Sequence, residues 1–314
     1  MSAQRRVAII GTGWVGASVA ISTLHAGIAD ELLLTDARAD VAEGEAMDLA
    51  QGAAFYPNAS VRTASVEEMV DADVVVVAAG SGGKPGQSRL ELLQGNAKLV
   101  ADLGRRLAGC RGVILMVSNP VDVLTRVMQQ SSGLPAQRVL GTGTVLDTAR
   151  LRQMLGRELG VDPHSVHAQV VGEHGDSSVV LWSQASVGGV MLRHWPGWNT
   201  QREQSVAHEV RRAAYEIIAR KGATNHAIGL VTANVLRALL RDELRVLTVS
   251  RVHAGTLTSV GGAPLPLDGV ALSLPAVVGA GGAVQVLVPT LADDEQTALQ
   301  QSADVLRDAA ATLR

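Results

Sequence analysis

Short aliphatic runs alternate with longer amphipathic stretches through the first half of the chain. The aliphatic runs predict six strands, at residues 7–10, 31–35, 61–63, 74–79, 113–117 and 139–141. The stretches between them predict helices at residues 15–26, 40–50 and 90–108. This alternation is typical of repeated βαβ units, whose strands are parallel. We therefore expect an α/β fold built on a doubly wound parallel sheet.

The pattern changes from about residue 145, where amphipathic stretches predominate. Apolar residues at helical spacing predict helices at residues 146–160, 206–220 and 228–240. In the second of these, four apolar residues share one face: Val206, Val210, Ala214 and Ile217. A terminal helix is expected to begin near Asp293, where Asp293 and Gln296 have the spacing of a weak capping box.

The second half also contains strand patterns. Those strands are predicted at residues 246–250, 271–274 and 284–288, in antiparallel arrangement, with a loop or hairpin at residues 255–269. We expect a cofactor-binding domain at residues 1–143 and a mixed α/β substrate domain at residues 144–314.

Composition narrows the functional class. Hydrophobic residues make up 47% of the chain and aromatic residues only 2%, so the core must be aliphatic, as in buried parallel strands. A formal net charge of −3 provides no basic field for nucleic acid or for an anionic membrane surface. Cys110 is the single cysteine, which excludes an internal disulfide and a thiolate metal cluster. No apolar run reaches membrane-spanning length, and the N-terminus lacks a signal-peptide layout, so we expect a cytoplasmic protein.

A glycine-rich turn directly follows the first predicted strand. In Gly11-Thr-Gly-Trp-Val-Gly16, Gly11 permits the tight turn and Gly13 lets a pyrophosphate approach the backbone. Gly16 lets the helix pack on the strand, and the phosphate would lie at the positive end of that helix. The motif alone is weak, because glycine triplets also occur in ordinary turns. Its place between strand and helix indicates a Rossmann-type dinucleotide site.

Asp36 supplies the second part of the nucleotide pattern. It lies 20 residues after Gly16, at the end of the second predicted strand. A carboxylate there accepts hydrogen bonds from the adenosine ribose and repels a 2′-phosphate, so NAD is favoured over NADP. Arg38 leaves the alternative open, because a nearby guanidinium could hold that phosphate.

Four further segments contain residues suited to catalysis: Ser88-Arg89, Ser118-Asn-Pro-Val-Asp122, Leu146-Asp-Thr-Ala-Arg150 and Gly172-Glu-His-Gly-Asp-Ser177. Asp147 and Arg150 are three residues apart on a predicted helix, so they share a face. His174 stands between nearby glycines and can exchange a proton near neutral pH. Each residue also has an ordinary structural explanation, such as a surface arginine or a loop histidine. From residue types and spacing alone, the reaction stays open.

Taken together and in this order, the segments resemble the lactate/malate dehydrogenase superfamily, closest to its bacterial L-lactate dehydrogenase branch. The resemblance covers nearly the whole chain, and Gly172-Glu-His-Gly-Asp-Ser177 is its most specific part. It implies an NAD-dependent enzyme that interconverts a small 2-oxo acid and its 2-hydroxy acid. It also implies a homodimer or homotetramer.

The same resemblance implies a role for each site residue. His174 would be the acid/base, Asp147 would orient it, and Arg89 would polarise the carbonyl on a mobile loop. Substrate-binding residues would be Arg150, which holds the carboxylate, together with Asn119, Thr224 and Gly83. Asn119 would also contact the nicotinamide, behind which Ile228 would lie. No metal is implied.

Gly83 departs from the pattern of the family. Lactate enzymes have glutamine at the matching position and malate enzymes have arginine, whereas glycine offers no partner for a second carboxylate. We therefore expect a 2-oxo monocarboxylate, most simply pyruvate, with a bulkier 2-oxo acid as the alternative and oxaloacetate after that. Glycine could instead serve loop closure.

A second departure concerns regulation. Relatives activated by fructose-1,6-bisphosphate pair an arginine matching Arg152 with a histidine where this chain has Gln169, so we expect little activation. Other classes fit less well. A methyltransferase shares the glycine turn but does not need His174, Asp147, Arg150 and Arg89 together. A non-catalytic NAD sensor would not need to retain them.

Overall fold

A computed structural model of the chain describes residues 4–82 and 88–313. The first half contains six strands: β1 (Arg6–Ile10), β2 (Glu31–Thr35), β3 (Ser60–Thr63), β4 (Val74–Val77), β5 (Val113–Met116) and β6 (Val139–Gly141). They pair in parallel in the order β3-β2-β1-β4-β5-β6. The order reverses between β1 and β4, which makes a doubly wound sheet with a crevice at the carboxyl ends of its strands. The predicted fold class is confirmed.

Five helices belong to this part of the chain: α1 (Trp14–His25), α2 (Ala39–Gln51), α3 (Arg89–Arg106), α4 (Val121–Ser132) and α5 (Val145–Leu159). The sequence pattern did not predict α4. Its β-branched residues have low helix propensity. Burial of its apolar residues beneath the sheet stabilises it instead, with Leu124 and Met128 fully buried.

The second half adds ten strands and three helices. Its strands are β7 (Val166–His167), β8 (Val170–Val171), β9 (Val179–Val180), β10 (Ser186–Val187), β11 (Val190–Met191), β12 (Arg245–Val252), β13 (Thr256–Thr258), β14 (Pro264–Pro266), β15 (Ala271–Gly279) and β16 (Gly282–Val286). Its helices are α6 (Thr200–Lys221), α7 (His226–Leu240) and α8 (Asp293–Ala311). The short strands β7 to β11 were not predicted, because two residues carry no periodicity.

Three of these strands extend the first sheet. β12 pairs antiparallel with β6 and with β15, and β15 pairs antiparallel with β16, which gives a nine-stranded sheet. β13 and β14 form the hairpin that was one of two expectations for residues 255–269. The sheet runs across residue 143, and the division into domains at residues 1–143 and 144–314 stays a prediction.

Alternate residues of the central strands pack into two different cores. Val7 and Ile9 of β1 contact the core under α1 and α7, whereas Ala8 and Ile10 contact the core under α3 and α4. Successive side chains of a strand point to opposite faces of the sheet, and here each face is covered by one of the two cores. Both faces of the parallel sheet are therefore buried and must be apolar. This explains the unbroken run Val74–Val77, in which every residue is buried.

One local prediction was wrong, and one helix face is only partly packed. Helix α8 begins at Asp293 as expected, but its N-cap is Ala292, whose backbone N–H donates to the Glu295 carboxylate at 3.0 Å. The side chain of Gln296 donates to the oxygen of Pro264 instead of capping the helix. On α6, Val206 and Val210 are buried, but Ile217 is 37% exposed because the packed face ends near the middle of the helix.

No helix in the described ranges is long and apolar enough to cross a membrane.

Gly229 tests how closely α7 must approach α1. A Cβ built on Gly229 would lie 2.6 Å from the backbone oxygen of Ser18, which is closer than real contacts allow. We expect Gly229→Ala to lower the free energy of unfolding by about 1–3 kcal/mol, since overpacking a rigid helix contact forces the backbone to shift. Gly95→Ala is the matched control, because Gly95 lies in α3 with no atom within 4 Å of the added methyl. Urea unfolding of both variants checks this, and equal stabilities would contradict it.

Candidate active site

The glycine-rich turn connects β1 to α1 and is hydrogen-bonded to the end of β2. Gly11 has a φ of +95°, and its N–H donates to the oxygen of Thr35 at 2.8 Å. An added Cβ at Gly11 would lie 2.6 Å from the nitrogen of Ala79, and one at Gly16 would lie 1.8 Å from the oxygen of Gly11. The protein's own packing therefore requires glycine at both positions.

Gly13 is different, because no described residue approaches the position that a Cβ would occupy there. No atom lies within 4 Å of a Cβ built there, and α1 begins directly after it without a side-chain cap. The first N–H groups of α1 therefore have no side-chain cap, and they face an open surface. A helix N-terminus of this kind favours an anion. This surface fits the pyrophosphate of a dinucleotide.

Asp36 lies just beyond β2 and faces the same turn. One carboxylate oxygen accepts from the backbone N–H of Thr12 at 2.8 Å, and the other accepts from the N–H of Arg38 at 3.1 Å. Each oxygen keeps further accepting capacity, and the side chain is partly exposed. The carboxylate is therefore held where it can accept hydrogen bonds from ribose hydroxyls, as NAD requires. Arg38 is exposed at the N-cap of α2.

Asp147, His174 and Arg150 form a hydrogen-bonded set at the carboxyl end of the sheet. Nδ1 of His174 lies 2.6 Å from one oxygen of Asp147, and Nη1 of Arg150 donates to the other at 3.0 Å. Helix α5 places Asp147 and Arg150 on one face, as their spacing predicted. The carboxylate is 8% exposed, and the arginine and histidine side chains are 12% and 24% exposed.

These contacts set the protonation of the pair. Burial by itself would lower the pKa of His174, but Asp147 and, behind it, Asp122 reverse that effect and raise it above the ordinary value. Burial would raise the pKa of Asp147, yet the positive charges of His174 and Arg150 hold it below the ordinary range. With Nδ1 bound to a carboxylate, Nε2 is the nitrogen left to exchange a proton with a ligand.

Asp122 holds the backbone of His174 through a contact that the sequence reasoning missed. It lies in the first turn of α4, is only 2% exposed, and accepts from the backbone N–H of His174 at 2.7 Å. Burial raises its pKa to about 6, although the amide of His174 favours the charged form. No spacing signal could have found this contact, because the partners are 52 residues apart.

Asn119 lies in the loop between β5 and α4 and has a cis peptide bond to Pro120. Its side-chain oxygen accepts from the N–H of Val121 at 3.3 Å, and its side chain is exposed at the crevice. Asn96, buried on α3, donates to the oxygens of both Asn119 and Ser81. Asn96 therefore links the loop after β4 to the loop after β5. The sequence reasoning also missed this residue.

Arg89 is the first residue of α3. Ser88 fixes that start, because its hydroxyl accepts from the N–H of Glu91 at 3.2 Å while the Glu91 carboxylate accepts from the N–H of Ser88 at 2.9 Å. The side chain of Arg89, and the whole of Gly83, lie outside the described residues.

Thr224 and Ile228 lie where α6 gives way to α7. Thr224 is partly buried between α6 and α7, and Ile228 lies in the first turn of α7 against the core under α1. Neither makes a hydrogen bond to His174, Asp147 or Arg150, all of which are described. Nor does any group of three His, Cys, Asp or Glu side chains at the described positions form a metal site.

Comparisons with known proteins agree with this geometry. A sequence model of the lactate/malate dehydrogenase NAD binding domain matches residues 5–141, and one of the alpha/beta C-terminal domain of the same family matches residues 144–313. The L-lactate dehydrogenase of Salinibacter ruber is 43% identical, over 100% of this chain and 99% of that protein. The L-lactate dehydrogenase of a Synechococcus species is 42% identical over 98% of each chain.

Solved structures give the same result. The minor L-lactate dehydrogenase of Enterococcus mundtii superposes with a TM-score of 0.93 at 38% identity, covering 99% of both chains. A lactate dehydrogenase from a Medee basin deep-sea metagenome library superposes with a TM-score of 0.92 at 36% identity, again over 99% of both chains. With both halves matched and with relatives similar along their whole length, the chain belongs to the lactate/malate dehydrogenase family of NAD-dependent oxidoreductases.

Proposed function

We propose that this protein is an L-lactate dehydrogenase that interconverts pyruvate and L-lactate. The observation that carries the proposal is the His174–Asp147–Arg150 set, in which one buried carboxylate holds both an acid/base and a carboxylate-binding guanidinium. The names of the relatives in Salinibacter ruber and Synechococcus support the same substrate pair.

The glycine turn and Asp36 would hold NAD, which would supply or accept the hydride at C2 of the substrate. His174 exchanges a proton with the C2 oxygen through Nε2, and Asp147 fixes the tautomer that makes this possible. For reduction, the imidazolium donates its proton; for oxidation, the neutral imidazole accepts one. Stabilisation of the imidazolium by Asp147 keeps the proton available at neutral pH.

Arg150 holds the substrate carboxylate. A guanidinium has five N–H donors, and the contact with Asp147 involves only Nη1, so the others remain for a paired interaction with the substrate. Asp147 also fixes the orientation of that fork, which is a form of preorganisation. We assign Arg89 to polarising the carbonyl, and Asn119, Thr224 and Ile228 to binding the substrate and nicotinamide.

The monocarboxylate preference rests on Gly83. Glycine provides no cation for the second carboxylate of oxaloacetate, which argues against a malate enzyme. By the pattern of the family, the missing side chain would also leave room beside C3 of the substrate, so a bulkier aliphatic or aryl 2-oxo acid is the second candidate substrate.

We also propose a homodimer or homotetramer in the cytoplasm. Several large apolar side chains are exposed on the single chain, among them Phe55 at 88%, Leu230 at 66% and Trp14 at 63%, and burial against another copy would remove them from water. The cytoplasmic assignment is supported by the buried free thiol of Cys110 and by the cellular NAD pool on which the reaction depends.

Oxidation of NADH with a panel of 2-oxo acids tests the function. We expect kcat/KM for pyruvate to exceed that for oxaloacetate at least about tenfold, since an unpaired carboxylate must be desolvated without compensation. Phenylpyruvate and 2-oxoisocaproate test whether larger side chains are accepted beside Gly83. A preference for oxaloacetate would refute the assignment.

Replacement of the acid/base tests the role of His174. His174→Ala should lower kcat/KM about 10³-fold, the usual contribution of a general acid. His164→Ala is the control, because that side chain is 98% exposed.

The pH dependence follows from the raised pKa of His174. Pyruvate reduction needs the protonated imidazole, so kcat/KM is retained at low pH and falls as the pH rises through a pKa above 6.5. Lactate oxidation rises through the same pKa. Asp122→Asn removes a negative charge behind the ring while an amide oxygen can still accept from His174, so the falling limb should move to lower pH. An unshifted limb would show that Asp122 does not act on His174.

We expect fructose-1,6-bisphosphate to leave the pyruvate KM within about twofold. Arg152 and Gln169 line one cavity of about 350 Å³, but Gln169 is uncharged. Arg245 in the same cavity is hydrogen-bonded to Asn234 and lies 3.7 Å from the carboxylate of Glu243. Gln169→His supplies the missing group and should introduce a response. A drop in KM of tenfold or more in the unaltered protein would contradict the proposal.

A further inference from the structure

The carboxyl-terminal half of α6 is almost free of tertiary packing. All fully buried residues of this helix lie in its first half, and they are Glu203, Val206, Ala207 and Val210. From Tyr215 to the end of the helix, every residue is exposed. Ile217 and Ile218 are 37% and 47% exposed, so apolar burial among the described residues holds this half only weakly. Its position must depend on a small number of polar contacts.

Two such contacts join it to the catalytic loop. The hydroxyl of Tyr215 donates to the carboxylate of Asp176, at 3.2 Å from both oxygens. One turn earlier, Nη1 of Arg211 donates to the backbone oxygen of Ser178 at 3.4 Å. Asp176 is two residues beyond His174, so the helix is tied to the loop that carries the acid/base. The guanidinium of Arg212 lies 5.0 Å above the Tyr215 ring, which helps to hold the ring in place.

The segment that follows α6 is hydrogen-bonded to α1, the helix that follows the glycine-rich turn. Asn225 donates to the hydroxyl of Ser18 on α1 at 3.0 Å, and Lys221 donates to Asn225 at 2.7 Å. Thr224 lies directly before Asn225. The short segment carrying Thr224 therefore has one end fixed to the cofactor-binding helix and the other attached to the free half of α6.

We propose that Tyr215 and Asp176 form a positioning pair that holds the segment carrying Thr224 at its correct distance from His174. The inference rests on the proposed function, because it assigns Thr224 to the wall of the substrate pocket. Tyr215 does not touch the reacting atoms. It acts through α6, so it affects substrate binding and leaves proton transfer between His174 and the C2 oxygen unchanged.

Removal of the Tyr215 hydroxyl is the central experiment. Tyr215→Phe should raise the pyruvate KM about fivefold, which corresponds to about 1 kcal/mol. We expect kcat and the dissociation constant of NADH, measured by fluorescence, to stay within about twofold. Tyr56→Phe is the matched control, because the only other tyrosine of the chain donates to the backbone oxygen of Leu49, outside the pocket.

The partner residue gives three further variants. Asp176→Ala should raise KM as Tyr215→Phe does, and the double variant should be no worse than either single one, since both remove the same bond. Asp176→Asn keeps an oxygen that can accept from the hydroxyl and should restore most of the affinity. Additive effects in the double variant would overturn the pairing.

Hydrogen exchange separates this inference from the identity of the substrate. Amides of residues 211–225 should exchange faster in Tyr215→Phe and Asp176→Ala than in the unaltered protein, without any substrate present. If the unaltered protein does not turn over pyruvate, the proposed function is wrong, and amide exchange that is unchanged in the variants would then also overturn the pairing. If the unaltered protein is active, the pyruvate KM decides. A KM of Tyr215→Phe within twofold of that of the unaltered protein overturns the proposal, even where amide exchange is faster.

Discussion

The chemistry of this protein depends on one buried carboxylate, that of Asp147. Its two oxygens bind different partners, the imidazole of His174 and the guanidinium of Arg150. A carboxylate that is 8% exposed would be costly to keep charged without partners, and here both partners are also the groups that we propose to act on the substrate. The same ion pair therefore keeps Asp147 ionised, sets the tautomer of the histidine and aims the arginine. Loss of Asp147 would leave the guanidinium and the imidazolium without their counter-charge.

The sheet explains why these three side chains meet. Strands β5 and β6 end side by side, and each leads into a helix whose first turn carries an aspartate, Asp122 in α4 and Asp147 in α5. His174 reaches the same place from a loop that follows β8, with its backbone held by one aspartate and its ring by the other. A rigid parallel sheet thus positions the site, with the two aspartates in the first turns of helices and the histidine on a loop.

The cofactor side shows a different relation between sequence and structure. Gly11 and Gly16 are explained by the protein alone, because any side chain there would strike its own backbone. Gly13 has no such explanation, and the open surface around it is best understood through the ligand. Within one motif, then, two glycines serve folding and one serves binding. The fit of residues to NAD could be judged only after the backbone contacts were known.

Local patterns determined the strand runs, most helices, the glycine turn and the Asp147–Arg150 pair, because each depends on residues a few positions apart. Resemblance to the family, more than physical reasoning from residue types, assigned His174 its role. Tertiary structure alone decided that Asp122 and Asn96 support the site, that β12, β15 and β16 join the first sheet, and that Ile217 remains exposed. Those outcomes depend on contacts between segments tens of residues apart. Hydrophobic periodicity records which face of an element is apolar, and contains no information on what that face, or a buried polar group, will meet.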